Sequence, residues 1–571
     1  MSTTDLKTLP GRDPSAEMKD NGLELAQWEG SPVTPVDAEV EPEKYRSRLR
    51  LIAVLAGLNL AMFTTALDQT IVATAVPTIT SDLHSASGYV WIGGAYMLAN
   101  AAGGPIWAKI SDIWGRKPIL LAAVALFFGS SILCAKAWNI KVLLVGRSLQ
   151  GTAGGGMVQL VMITISDIFS IRHRSLYYGL LEVVWTVAGG VGPVLGGILT
   201  ERLSWRFAFW INLPICGTTF FLLLFFLDVH NPKTAVIEGL KAVDWFGSLS
   251  ILAVTLMVLL GLEFGGATYP WVSPQVLCLI IIGALISVVF IFSEKRLAKY
   301  PLMPLEIFKD MSNVASLLVC FMHAMCFFAG EYYLPLYFQS ALEASPSKSG
   351  VLILPITITE AIVGILVGIF IHRTGRYLAL IRIGAVGMVL GNGIYILFSE
   401  TSSVGQIVGF QIINGIGQGL LFEAPLIAIQ ALVSQDNTAT ATSTFGFVRN
   451  LAMAMSVVIC GVIFQNGMDL KAAQLGRPPV SLGRNVTDVL AGGHAAANVM
   501  IIGIVENEEQ KLAIKQAFVW AMRNMWIFTT VAAAMAVVAS IFIKKSTLSR
   551  EHVETKTGLK EKVKEVVTVA T

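Results

Sequence analysis

The sequence predicts an all-α membrane protein of 14 transmembrane helices, with two parallel six-helix halves and a two-helix insert between them. Three observations carry this. Of 571 residues, 54% are apolar and 14% charged, against about 25% charged in an ordinary soluble domain, and only a lipid-facing surface can forgo charge. Fourteen segments approach the roughly 20 apolar residues that cross a hydrocarbon core. Finally, features of the early segments recur in the later ones at fixed spacing.

In chain order, residues 1–50 are polar and of mixed charge, and read as a disordered cytoplasmic tail with no signal peptide. The expected spans are 51–73, 88–107, 119–136, 141–164, 178–200, 207–227, 245–262, 275–294, 313–338, 349–371, 378–398, 405–433, 443–465 and 522–543. The second is rich in Gly and Ala, and the seventh is short. They group into an N-terminal half at 51–230, an insert with linkers at 231–312 and a C-terminal half at 313–543. The last half includes an extracellular loop at 466–521, and a cytoplasmic tail follows at 544–571.

An even count puts both termini on one side. With that side inside, the short inner loops carry thirteen Lys or Arg, among them Lys109, Arg116, Lys117, Arg172, Lys299 and Arg373. The short outer loops carry only Lys136, Lys141, Arg202, Arg206 and Lys348. Positive charge marks the cytoplasmic side. The sequon Asn485-Val486-Thr487 falls in the loop this topology places outside, where glycosylation is possible.

The repeat shows twice. The second span ends in Gly115-Arg116 and the tenth in Gly375-Arg376. The fourth contains Gly151 and Gly155, the twelfth Gly415 and Gly419. Spans 1–6 therefore repeat as 9–14, and spans 7–8 are the insert. Two parallel halves with a site between them at mid-membrane are a transporter architecture.

Four motifs carry a resemblance to the major facilitator superfamily, in its fourteen-span drug:proton antiporter branch of fungal-type efflux pumps. Residues 67–79, Leu-Asp-Gln-Thr-Ile-Val-Ala-Thr-Ala-Val-Pro-Thr-Ile, are similar to the branch's span 1 signature. Residues 108–117 resemble the loop 2–3 motif, with Ala108 in place of its usual glycine. Arg147 with Gln150-Gly151 resembles the span 4 motif, and 189–197 (Gly-Gly-Val-Gly-Pro-Val-Leu-Gly-Gly) the antiporter motif of span 5. The run Trp205–Pro214 also resembles the branch. The resemblance covers about 51–545. It implies a proton-coupled secondary transporter that exports small organic compounds by alternating access. Its partners would be that substrate, protons and the bilayer, and it would act as a monomer in the plasma or vacuolar membrane.

The residues suggest how such a machine would work. Gly189, Gly192 and Gly196 lie at i, i+3 and i+7, so a small face lets helices approach, and Pro193 bends the helix. With Gly197 they form a candidate gate between the halves. Asp112 and Arg116, flanking Gly115, are i, i+4 neighbours at a helix end and form a candidate latch. Ionisable residues inside spans cost about 2.5–3.5 kcal/mol each and should face the interior. Candidates for coupling or substrate contact are Asp68, Arg147, Glu331, Glu360 and Glu423. Burial raises a carboxyl's pKa towards neutrality, as a proton carrier needs, whereas an arginine stays charged. Arg147 is the nominated partner of Asp68. Glu182 and Arg449 lie near span ends and read as snorkelling, and His323 as packed. Phe327, Phe328, Tyr332, Tyr333, Tyr337 and Phe338 offer an aromatic wall for flat organic ligands.

The six cysteines all lie in apolar stretches and read as small buried hydrophobes with no disulfide or metal spacing. No Gly-x-x-x-x-Gly-Lys-Ser/Thr loop and no His-Glu-x-x-His pair is present, so neither an ATP-driven motor, a zinc site, a cofactor nor an enzyme is expected. A net charge of +3 gives no case for nucleic acid. Two readings compete: a siderophore or basic amino acid carrier, and a non-transporting nutrient sensor.

Overall fold

The computed structural model describes residues 48–84, 88–265, 269–298, 301–303, 305–477, 480, 482–492, 494–551 and 557–558. The expected tail up to residue 47, Lys299 and the tail from 559 lie outside the described residues, as does the side chain of Asn485. The described residues from Leu49 onward form one compact unit.

Among the described residues, fourteen long helices run in order. They are α1 (Arg48–Asp82), α2 (Gly88–Trp114), α3 (Arg116–Ala135), α4 (Ile140–Ile168), α5 (Ile171–Arg202), α6 (Phe207–Phe226) and α7 (Trp245–Phe264). There follow α8 (Pro274–Arg296), α9 (Met311–Ala341), α10 (Pro346–Thr374), α11 (Leu378–Tyr395), α12 (Val404–Gln430), α13 (Gln435–Leu475) and α14 (Glu508–Ile541). Twelve are long and apolar enough to cross a membrane. The other two, α2 and α4, have 27 and 29 residues but fall short in apolarity. They pack on each other: Gly151 and Gly155 of α4 meet the carbonyls of Tyr96 and Asn100, and Gly156 meets the Trp107 ring. A helix that buries its surface on protein needs fewer apolar side chains than one facing lipid. The count of fourteen crossing helices rests on these two.

Several boundaries differ from expectation. Helix α1 begins at Arg48, so the tail stops short of residue 50. Helix α13 runs from Gln435 to Leu475, well past the apolar stretch 443–465, because the apolar stretch marks only the part that lipid requires. The loop before α14 is therefore 476–507 and holds the short helices Arg484–Leu490 and His494–Ala497. The linker before α7 also contains an unexpected helix, Val236–Ala242, whose Gly239 lies on Trp114.

The sequence echo has a physical counterpart. Gly415 and Gly419 of α12 meet the carbonyls of Ile356 and Glu360 on α10, each 3.1 Å from where a Cβ would sit. Helix α12 thus packs on α10 as α4 packs on α2. Gly115 and Gly375, which follow α2 and α10, both have positive φ, 93° and 69°. On this register Glu360 occupies in the second half the place of Asn100 in the first.

The insert helix α8 exposes Leu277, Ile281, Leu285, Val288 and Phe292, a stripe at helical spacing suited to lipid. Cys278 is exposed on the same helix, so the expectation that all six cysteines are buried fails there. Cys278 sits beside the outward stripe, where an apolar residue satisfies lipid as well as it would satisfy a core.

Asp310 caps α9, accepting the Ser312 N–H at 2.8 Å, and pairs with Lys544 at 3.1 Å. The Ser312 bond first, then Lys544, hold its carboxyl below the usual range. A depressed folded pKa contributes stability that is complete above the unfolded value and is lost as pH falls through the folded one. Asp310→Ala should therefore lower the thermal midpoint at pH 7, by the equivalent of about 1 kcal/mol for a lost cap. The gap to wild type should narrow below about pH 4, where an unpaired Asp protonates. A gap that does not change with pH would count against the ionic part of this cap.

Candidate functional site

Asp68 lies wholly buried in α1. It accepts from Arg147 Nη1 at 2.5 Å, Gln150 Nε2 at 2.9 Å and Asn212 Nδ2 at 2.8 Å. Arg147 is 2% exposed, donates Nε to the Ile92 carbonyl at 3.1 Å and lies 4.5 Å from the Tyr96 ring centroid. Gln150 also donates to Ser131 at 2.9 Å. Three helices, α1, α4 and α6, thus meet on one carboxylate with one cation, and α3 joins them through Gln150. A carboxylate fixed by three donors is a place where a proton or a competing ligand changes many bonds at once. Asn212 is a partner that was not singled out, although it stands inside the Trp205–Pro214 run.

A second group lies between the halves. Helix α12 breaks: its regular turns stop at Gly419 and resume at Ala424. Glu423, 2% exposed, occupies the break, just before Ala424-Pro425. A proline one residue into the next turn supplies no N–H and favours a fresh helix start. Arg449 of α13 donates to the Phe422 carbonyl that the break frees. Its guanidinium lies 4.9 Å from the Phe445 ring centroid. Glu182 of α5 faces Glu423 and Arg449 closely enough for each charge to act on the others. Glu182 and Arg449 therefore do not snorkel. Glu182 lies against Gly364 of α10, and Arg449 reaches the carbonyl at the break. Glu360 of α10, 5% exposed, and Glu331 of α9 are near enough to interact electrostatically. One carboxylate oxygen on each of Glu331, Glu360 and Glu423 is buried without a hydrogen-bond partner. A broken helix beside buried acids between two repeats is how transporter sites are built.

The halves are joined mainly at the end where α1 begins and α14 finishes, here the terminal end. Arg172 of α5 donates to the carbonyls of His372, at 2.7 Å, and Arg373 on α10. Ser175 donates to Gly368 O at 3.1 Å, and Arg174 to Gln435 at 3.0 Å. Nearby, Arg116 pairs with Asp112 at 2.6 Å and with Asp167 of α4 at 2.7 Å. The expected i, i+4 pair is present, but Arg116 is almost fully buried and Asp167 is its second anion. Gly115 turns at φ 93° with Pro232 beside it, a conformation L side chains rarely adopt.

The span 5 glycines behave differently from expectation. A Cβ at Gly192 would meet Thr70, and one at Gly196 would meet Ile71 and Thr74, all on α1 of the same half. Thr70 also donates to Ala188 O at 3.0 Å. Gly189 and Gly197 have nothing within 4 Å. Of these four glycines, only Gly192 and Gly196 lie on a neighbour, so the shared face does not extend to Gly189. The small residues that seat α5 on the other half are Ser175 and Gly179, against Gly364 and Gly368 of α10.

The aromatic wall divides. Phe327 lies 5.0 Å from Phe422 at the break, and His323 is packed beside them, bonded to Gln418 O at 3.1 Å. Tyr337 and Phe338 are buried inside the second half, where Tyr337 stacks on Phe398. They serve that half's core rather than a cavity.

A helical, multi-pass membrane chain, with paired helix repeats and charged residues at the seam between them, belongs to the class of secondary transporters. The Major Facilitator Superfamily profile matches residues 58–457, and the chain belongs to that family. It is 42% identical over 528 residues to the "MFS-type transporter ppz2" of Metarhizium majus, covering 92% of this chain and 90% of that one. It is 42% identical over 513 residues to "Efflux pump dotC" of Dothistroma septosporum, covering 89% and 86%. It is 34% identical to "Efflux pump FUS6" of Gibberella moniliformis, covering 93% and 94%. Among solved structures it resembles the human organic anion transporter MFSD10, with TM-score 0.52, 16% identity and 85% and 98% coverage. It also resembles the proton:xylose symporter XylE, with TM-score 0.51, 13% identity and 86% and 97% coverage. The family is one of transporters, and the chain is an integral membrane protein rather than an enzyme.

Proposed function

We propose that the chain exports small organic compounds in exchange for protons, by alternating exposure of a site between its halves. The observation that carries this is the break in α12. There Glu423 and, nearby, Glu360 and Glu331 hold buried oxygens without partners. A buried ionised carboxylate without partners is costly, so such groups favour taking up a proton. The named efflux pumps among the relatives support the direction. Asp68 with Arg147 forms a second, fully paired site within the first half, and Asp68 is the proton-exchanging member there. Gly192, Gly196 and Pro193 hold α5 on α1, and the Asp112–Arg116–Asp167 cluster latches the terminal end. The protein works as a monomer in the plasma or vacuolar membrane with both termini cytoplasmic.

The test uses rhodamine 6G efflux from a host stripped of its own pumps, then vesicles. A 100 mV potential supplies about 2.3 kcal/mol per proton. Efflux should collapse with a protonophore and continue without ATP under an imposed pH gradient. Undiminished efflux with ATP and no gradient overturns the reading. Orientation is tested separately: Asn485 should carry glycan, and Asn485→Gln should remove one glycan mass in a fungal host. Labelling of Asn485→Cys only from the cytosol would reverse the topology.

A further inference from the structure

Lys544–Leu548, after α14, stay on the protein, and Thr557 and Gly558 meet it again. The Lys544 N–H donates to Ser312 Oγ at 2.9 Å, and Tyr377 donates its hydroxyl to the Lys544 carbonyl at 2.9 Å. Ser546 N–H donates back to Tyr377 at 3.0 Å, and Leu548 is 7% exposed within the main core cluster. These contacts all lie in the second half. Thr557 then donates to the His230 carbonyl at 3.2 Å, and Gly558 N–H to the Asp112 carbonyl at 2.8 Å. Those partners belong to the first half: Asp112 is part of the loop 2–3 motif, and His230 lies just after α6. Nine residue steps separate Leu548 from Thr557, which reach at most about 30 Å.

The receiving surface is shaped for this. Thr234 Oγ1 donates to Ile113 O at 2.7 Å, so the linker already lies along the motif. Pro232 sits between two glycines of positive φ: its ring is 3.1 Å from the Cβ position of Gly115, and 2.7 Å from that of Gly558. Gly558 has φ 124°, a region nearly closed to other residues. A side chain there would be strained and would strike Pro232. The contact is thus specific to glycine at 558.

We propose that this surface, formed by Asp112, His230 and Pro232, is a docking site for the chain's own C-terminal segment at Thr557–Gly558. Docking straps the second half to the loop 2–3 motif of the first. It holds the terminal ends of the two halves together on the same side as the Arg172 and Ser175 bonds, and so favours the state closed at that end. Neither the Asp112–Arg116 pair nor the exchange of protons is part of this inference, and its test needs no substrate.

The test uses the full chain in nanodiscs with Cys278, the exposed native thiol, changed to Ser. Thr557→Cys with His230→Cys should form a disulfide under mild oxidation. Gly558→Val in the same background should abolish it at equal protein level. Spin labels are placed at the exposed Pro118 and Arg376 positions, one in each half. The oxidised pair should give one short distance population, and Gly558→Val should shift weight to longer distances. Absence of the disulfide in a well-folded protein overturns the docking. A disulfide with distance distributions that match those of Gly558→Val overturns the strap.

Discussion

Asp68→Asn should reduce folded protein, and Asp68→Asn with Arg147→Gln should restore it without restoring gradient-driven export. From the sequence alone, Asp68→Asn would be expected to insert normally and lose only coupling. The structure changes that expectation because Arg147 is 2% exposed and Asp68 is its only acidic partner among the described residues. An amide in place of the carboxylate leaves a buried cation uncompensated, at about 3–5 kcal/mol. Removing both charges leaves Gln150, Asn212 and two amides able to bond one another. Folded protein is read as monodisperse material in fluorescence-detected size exclusion. Export of rhodamine 6G under an imposed pH gradient is then read per folded molecule. Both variants should fall at least a hundredfold in gradient-driven export, while substrate-for-substrate exchange survives in the double variant. Wild-type pH-dependent export by the double variant removes Asp68 from the coupling step and moves it to Glu423 or Glu360.

Much of this arrangement is readable in the sequence. Asp68 is the one acid in the first span, and Arg147 is the buried cation in the fourth, so their pairing follows from the expense of charge in a membrane. The offset that aligns Gly115-Arg116 with Gly375-Arg376 is also the one that aligns Asn100 with Glu360, and the packed glycines keep it. What the sequence hid has a physical cause. Position along a helix does not reveal which way a side chain turns. Glu182 and Arg449 stand near span ends, where snorkelling is cheap, yet both turn inward to the break at Glu423. The break itself is masked because Leu420, Leu421 and Phe422 are as apolar as a continuous helix would be. Gly189 and Gly192 are three residues apart, but only Gly192 and Gly196 lie on α1.

The two charge clusters differ in count, and that difference predicts opposite mutational behaviour. At Asp68 one acid meets one cation. At the break two acids, Glu182 and Glu423, face the single cation Arg449. Glu423→Gln alone leaves Arg449 with Glu182, and Glu182→Gln alone leaves it with Glu423. Each single variant should fold near the wild-type level, since the guanidinium keeps the charge of one neighbouring acid and its bond to the Phe422 carbonyl. The double variant removes both anions and leaves a partly buried cation with a carbonyl and two aromatic faces. Its thermal midpoint should fall by clearly more than the two single shifts added, with a coupling of about 1–3 kcal/mol, the range for residues sharing one network. Arg449→Lys should lower the midpoint on its own, because an ammonium cannot reproduce the flat face set against Phe445 while bonding the carbonyl. Adding Arg449→Gln to the double acid variant should recover part of the loss. Strict additivity of Glu182→Gln and Glu423→Gln would show that the two acids do not share this arginine, and would leave the break without its charge partner across the seam.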